Sequence, residues 1–358
     1  MKTLLLAPEL FQTDSGIPRC LRLYLKALCD QAEPPVDRVS FVALNDAVAD
    51  STDLRRYSGP GLSGWSVCSR DKVRFVRETH RLSAGCDLII CGHVAQLPVA
   101  WLMSWLRPRL RYILIAHGIE VWRPFTFWQR RALRGAERIF CVSDFTRREL
   151  MRQLALDERR LVVLPNALDP QLEAASAAPE ISATPPIILT VARLSHDDSY
   201  KGIDHLIEAM PAILRAAPTA KLRIVGRGND QARLQKLART LELASAVEFA
   251  GFVSDAELRE EFARCRLFAL PSQKEGFGLV YLEAMTHGRP CLGARAGGTP
   301  EVINADSGVL VDYGDVPGLA AAAVAALQRP WDEAAIRARA DHFSYSQFQA
   351  RLASLLPT

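Results

Sequence analysis

The sequence lacks paired cysteines, long apolar runs and any strong excess of charge, and each shortfall removes a class of function. Its eight cysteines (Cys20, Cys29, Cys68, Cys86, Cys91, Cys141, Cys265 and Cys291) never fall at the CxxC spacing of zinc or dithiol redox sites. Several lie in apolar, strand-like runs such as Ile139–Val142, so buried reduced thiols, no bound metal and a cytoplasmic setting are expected. The opening segment loses its apolar character at Pro8 and Glu9 and reads as a first buried strand rather than a leader. The longest apolar stretch, Leu319–Leu327, is about half of what a bilayer span needs. Net charge is only +4, too little for a general nucleic-acid binder. The balance is uneven, however: residues 101–150 hold ten Arg, no Lys and four acids.

What is present is an ordinary globular composition, 49% hydrophobic and 23% charged over 358 residues, long enough for two domains of about 150 residues. Short apolar runs alternate with helical patterns: Thr3–Ala7 with Ile17–Cys29, then Val39–Leu44, Leu88–Cys91, Tyr112–Ala116, Arg138–Val142 and Leu161–Leu164. This order predicts a parallel sheet covered on both faces. A Pro, Ala and Ser tract at 171–186 breaks the pattern, and a second alternating series starts at Ile187. The division expected is 1–170, a linker at 171–186, 187–340, and a last helix at 341–358 that packs back on the first half. Two doubly wound sheets facing across a cleft place ligands at the carboxyl ends of their strands.

The segment Pro271-Ser-Gln-Lys-Glu275-Gly276-Phe277-Gly278-Leu279 leads from a strand, through glycines, into a helix carrying Glu283. Such a turn leaves amide N–H groups unpaired at the helix start, where a phosphate binds. If helical throughout, Glu275 and Glu283 stand about 12 Å apart along the axis, one on each side of that phosphate. Their carboxylates suit the hydroxyls of a nucleotide sugar; the plainer alternative is a helix cap with an exposed Glu. Arg193, at the end of Ile187–Val191, and Lys201, at the start of the next helix, point to the same strand ends and can neutralise a diphosphate without a metal. Gly226-Arg227-Gly228 lacks the third glycine of a dinucleotide site, since Gln231 stands in its place. Gly251-Phe252-Val253 follows another strand; its backbone can pair with a base, or Phe252 can simply be core.

Together these motifs resemble the retaining glycosyltransferases of family 4, with the GT-B fold. The resemblance rests on Glu275 and Glu283, on EGFG at 275–278 and EAM at 283–285, on Arg193 with Lys201-Gly202, on Val225–Gly228, Gly251–Val253 and Gly297–Val302. It is strong from 187 to 311 and weaker before that. It implies that Arg193 and Lys201 bind the donor diphosphate, Glu283 the ribose and Glu275 the transferred sugar, with Gly226, Phe252, Val253, Gly276, Phe277, Gly278 and Leu279 forming the donor pocket. Gly16, in Asp14-Ser15-Gly16-Ile17, falls where the family closes a glycine loop over the phosphates. His117, in Ala116-His117-Gly118, falls at the histidine that contacts the donor sugar; Cys91-Gly92-His93 also ends a strand. The chain departs from the family in its longer connection from Ser195 to Tyr200.

The function implied is metal-independent transfer of a hexose, by front-face substitution, to a saccharide or lipid-linked acceptor in polysaccharide or glycolipid biosynthesis. Tyr200–Asp204 resembles polysaccharide mannosyltransferases, which puts GDP-mannose ahead of UDP-glucose and UDP-N-acetylglucosamine. A sugar-nucleotide epimerase, a phosphorylase and a non-catalytic nucleotide-sugar-binding protein are the alternatives. Finally, Trp101, Trp105, Trp122, Trp128, Phe125 and Phe127 are interleaved with Arg107, Arg109, Arg111, Arg123, Arg130, Arg131 and Arg134. That mixture suits peripheral contact with anionic lipid at the inner face of a membrane. It equally suits amphipathic helices whose tryptophans face the core.

Overall fold

The computed structural model describes residues 1–31, 37–49, 51–170 and 185–357. Two compact units emerge, Met1–Asp169 with Tyr345–Thr358, and Pro170–Ser344. Most of the tract expected as a linker, 171–184, lies outside the described residues.

The first unit runs β1 (Lys2–Ala7), α1 (Gly16–Cys29), β2 (Arg38–Ala43), α2 (Ser51–Tyr57), β3 (Leu62–Val67), α3 (Lys72–Leu82), β4 (Leu88–Cys91), α4 (Leu97–Leu106), β5 (Arg111–Ala116), α5 (Phe127–Gly135), β6 (Arg138–Cys141), α6 (Asp144–Gln153) and β7 (Leu161–Val163). Its sheet is parallel, in the order β3-β2-β1-β4-β5-β6-β7. Strands such as Leu88–Cys91 are buried along their whole length because helices cover both faces, which is why they read as unbroken apolar runs. The edge strand β3 was not anticipated: only Ser66 of its six residues is buried, so it carries no unbroken apolar run. Ser143 caps α6 by accepting from the Thr146 amide (3.2 Å), and Thr126 and Gln129 form a reciprocal cap at the start of α5.

The second unit runs β8 (Ile187–Val191), α7 (Ile203–Ala216), β9 (Lys221–Val225), α8 (Gln231–Thr240), β10 (Val247–Gly251), α9 (Asp255–Arg264), β11 (Leu267–Leu270), α10 (Leu279–Thr286), β12 (Cys291–Ala294), α11 (Thr299–Val302), β13 (Gly308–Val311), α12 (Val316–Gln328) and α13 (Glu333–Asp341). Its parallel sheet has the order β10-β9-β8-β11-β12-β13. Both sheets therefore reverse direction next to their first strand, at β1/β4 and at β8/β11. In such sheets the connections diverge to opposite faces at that point and leave a crevice at the carboxyl ends.

The tail, read from sequence as one helical stretch, is broken by residues 342–344 into α13 and α14 (Tyr345–Leu355). Phe343 stays in the second unit, edge-to-face on Phe277 at 5.3 Å. Helix α14 belongs to the first: Tyr345, Phe348 and Leu352 join a core with Leu21, Tyr24 and Leu28 of α1. Tyr24 and Phe348 meet edge-on at 4.9 Å, and the Tyr345 hydroxyl donates to Asp30 Oδ2 at 2.8 Å. All eight cysteines are free thiols, seven of them buried. No described helix is long and apolar enough to cross a membrane.

Candidate active site

In the second unit the loops leaving β8, β9, β11 and β12 are tied into one assembly at the carboxyl edge of the sheet. β8 and β11 are paired neighbours (Phe268 beside Leu189), so Arg193 and the 271–278 turn emerge side by side. The long connection after Arg193 is ordered: residues His196–Lys201 wind into a short 3-10 helix. Within it Asp198 is buried and accepts from Arg193 Nε (2.5 Å), from Arg193 Nη2 (3.1 Å) and from the Tyr200 hydroxyl (2.9 Å). This carboxylate holds the Arg193 guanidinium charged, above its usual range; burial first, and then the same carboxylate, pushes the Tyr200 phenol up.

Lys201 forms an ion pair with Glu275, both side chains being largely withdrawn from solvent. The Tyr200 carbonyl accepts from the Gln273 amide (2.8 Å). Gly202 has φ +70°, and a Cβ there would lie 2.7 Å from the Pro271 carbonyl oxygen, so only glycine lets the two loops approach this closely. On the opposite side the turn is backed by Gly297 and Gly298: the Gly298 amide donates to the Glu275 carbonyl at 2.7 Å. The β9 loop closes the third side, where Leu194 and Arg227 pair through their main chains (3.0 Å) and His196 Nδ1 meets Asp230 Oδ1 at 2.7 Å.

The structure corrects the helical spacing expected for the two glutamates. Helix α10 begins at Leu279, after Gly278 at φ +97°, so Glu283 is helical and buried while Glu275 stands in the preceding loop. Phe277 also points inward, 3% exposed, which leaves its main chain, not its ring, to line a pocket. Phe252 is not core: it is 69% exposed and lies under the Arg227 guanidinium at 4.8 Å. Val253 follows it, half-buried. Gly226, at φ +137°, packs so tightly on Ala192 that a Cβ would meet its carbonyl oxygen at 1.8 Å.

The two cations expected to face a diphosphate thus each have an acidic partner, a pairing that sequence reasoning missed: the sequence shows Ser195–Tyr200 only as a longer connection, and the resemblance gives Glu275 only as a ligand of the transferred sugar. The pairing orients them without saturating them. A lysine ammonium has three donors and a guanidinium five; Glu275 takes one from Lys201, and Asp198 takes two from Arg193.

In the first unit His93 and His117 follow the adjacent strands β4 and β5. Nε2 of His117 lies 3.0 Å from the Gly92 carbonyl. The Glu120 carboxylate accepts from the His117 amide at 2.6 Å, bridging a turn that Gly118 makes at φ +137°. Burial pushes His117 down to about 4, lowers His93 and raises Glu120. The sequence offers His93 as a second strand-end histidine but gives no sign of Glu120; the pairing of β4 with β5 brings both beside His117. Gly16 opens α1 and is exposed, with nothing within 4 Å of an added Cβ. Among the described residues no three His, Cys, Asp or Glu side chains are grouped as metal ligands.

Two doubly wound parallel-sheet units, each with its loops gathered at one sheet edge, define the GT-B class. Comparison with known proteins gives the family. The glycosyl transferases group 1 model matches residues 173–342, and the Glycosyltransferase Family 4 model matches residues 28–172. The chain belongs to this glycosyltransferase family. Among relatives, the GDP-mannose-dependent alpha-(1-6)-phosphatidylinositol monomannoside mannosyltransferase of Mycolicibacterium smegmatis is 35% identical over 184 residues, 48% of this chain and 47% of that protein. The N-acetyl-alpha-D-glucosaminyl L-malate synthase of Bacillus anthracis is 35% identical over 44% of this chain and 41% of its own. The matched stretch therefore spans less than half the length of each relative. Among solved structures, Anabaena HepE with UDP and glucose superposes with a TM-score of 0.79 at 22% identity, covering 99% of this chain and 98% of that one. The lipopolysaccharide outer core galactosyltransferase WaaB, in its apo form, gives 0.76 at 17% identity, covering 99% of this chain and 100% of that one. At these identities the likeness is one of fold.

Proposed function

We propose that this chain moves a hexosyl group from a nucleoside diphosphate sugar to a saccharide or lipid-linked saccharide, with an α linkage, in polysaccharide or glycolipid biosynthesis. The observation that carries this reading is the convergence of Arg193, Lys201, Glu275 and the Gly276–Gly278 turn on loops bound to one another at one sheet edge. The unused N–H groups of Arg193 and Lys201, with the main-chain amides of Gly276–Leu279 at the start of α10, donate to the diphosphate. Glu283 takes the ribose hydroxyls, the Phe252–Val253 main chain the base, and Gly226 lets the backbone approach the phosphates.

The anomeric configuration is retained by front-face substitution. The bond from C1 to the diphosphate oxygen breaks while the acceptor oxygen bonds C1 on the same face, and that diphosphate oxygen takes the acceptor proton. A double displacement would require a carboxylate nucleophile at C1, which the family resemblance does not supply; Glu275, paired with Lys201, is assigned to the hydroxyls of the transferred sugar. Charge developing on the leaving diphosphate is met by the two cations and the helix-start amides rather than by a metal. GDP-mannose is the donor proposed, in keeping with the name of the M. smegmatis relative. The cytoplasmic side of a membrane is the setting proposed, in keeping with eight free thiols.

The test is transfer from GDP-, UDP- and ADP-sugars, preceded by a thermal-shift screen in which a donor that binds the native state raises Tm. Lys201→Ala and Glu275→Ala should abolish transfer while the protein stays folded, and a chelator should leave wild-type turnover unchanged. Undiminished turnover in either variant overturns the assignment.

A further inference from the structure

Helices α4 and α5 pack together in the first unit, Trp101 meeting Trp128 at 6.0 Å, and their outward faces are unusual. On α4, Leu97, Ala100 and Met103 are buried, whereas Leu102, Trp105 and Leu106 share the opposite side at 100° per residue and are exposed, Trp105 to 73%. On α5, Ala132 and Leu133 face inward, and Phe127 (65% exposed) and Trp128 (57%) share the outer side with Arg131 and Arg134. These two short helices hold five of the ten exposed large apolar side chains among the described residues. Of the aromatic residues, Phe125 turns to the core, while Trp105, Phe127 and Trp128 are exposed.

Charge singles out the same surface. From Leu97 to Gly135 there are seven arginines and one acid, Glu120, and that acid is turned to the His117 amide. Among the described residues Arg109, Arg123, Arg131 and Arg134 have no ion-pair partner. A second copy of this chain brought to the same face would set arginines against arginines. A phosphate-rich lipid surface supplies the opposite charge, and aromatic rings settle at the headgroup level of a bilayer.

We infer that the outer faces of α4 and α5 form a docking surface for an anionic lipid bilayer, with Trp105, Phe127 and Trp128 entering the headgroup region and Arg131 and Arg134 holding lipid phosphates. The inference is independent of the transfer chemistry, and its test contains no nucleotide sugar.

The full chain is sedimented with phosphatidylcholine vesicles, alone or containing about a third of phosphatidylglycerol. Binding is expected on the anionic vesicles only, and it should weaken as salt is raised. Arg131→Glu with Arg134→Glu should remove it, and Trp105→Ala with Trp128→Ala should lower the partition coefficient at least about tenfold. All four residues are at the surface, so circular dichroism and Tm should match the wild type, and turnover on a water-soluble acceptor should be unchanged. The inference is overturned by equal sedimentation with both vesicle types, by undiminished binding in folded variants, or by a solution dimer that these substitutions dissociate in place of lipid binding. Blue-shifted tryptophan emission on anionic vesicles, lost in the double Trp variant, would support it further.

Discussion

Gly298→Ala probes the active-site assembly without touching a charged group. A Cβ at this position would stand 2.3 Å from the Gly276 carbonyl oxygen, where real Cβ atoms essentially never come within 3.0 Å. The obstacle is main chain on both sides, so the 275–277 turn must retreat by about 0.7 Å. That movement also stretches the bond from the Gly298 amide to the Glu275 carbonyl, now 2.7 Å. Overpacking of this kind costs about 1–3 kcal/mol of stability. The larger effect should fall on turnover: Glu275 and the Gly276–Gly278 amides move with the turn, and a misplacement approaching 1 Å at a catalytic group lowers the rate about 100-fold. Steady-state transfer, donor affinity by calorimetry and a thermal melt together separate the two effects. A variant that melts lower yet turns over as fast as wild type would show that the turn does not hold the donor. One that matches wild type in both would show that the two loops do not pack as described.

Acid stability tests the His117 environment. Its ring is neutral in the folded state, with a pKa near 4 against 6.5 when exposed, so the unfolded chain takes up the proton first and stability falls as the pH drops below about 6.5, levelling off below about 4. Near pH 5 the loss is about 1–2 kcal/mol. Glu120, raised by burial, acts in the opposite direction, so the His117 contribution is read as the difference between wild type and His117→Gln in denaturant melts; identical pH profiles would refute it. Phe252→Ala should leave the stability of the folded protein within about 0.5 kcal/mol, since the ring is exposed, and should leave donor affinity near that of wild type, since the base is assigned to the Phe252–Val253 main chain; a large loss of affinity would put the ring itself in the base site. Leu352→Ala should cost about 2–5 kcal/mol, because this fully buried side chain fixes α14 to the core of α1. A loss under about 1 kcal/mol would mean that α14 contributes little to that unit.

The amino-acid order by itself determined the alternation of strands and helices, because buried parallel strands must be apolar throughout and helices covering them must be apolar on one face. It also marked the turn at Gly276–Gly278 and the basic groups at Arg193 and Lys201, since a backbone that must approach a phosphate needs glycines at fixed offsets from a strand end. It did not determine what those groups touch. Asp198 under Arg193, Glu275 against Lys201 and Gly298 behind the Glu275 carbonyl come from loops far apart in the chain or from a turn with no apolar period. Only the sheet order, which sets β11 between β8 and β12, brings most of them together. The same holds for His93 and Glu120 beside His117, and for which of the six Trp and Phe residues from Trp101 to Trp128 face outward: periodicity assigns a side to each helix, but packing between helices decides which side is left bare.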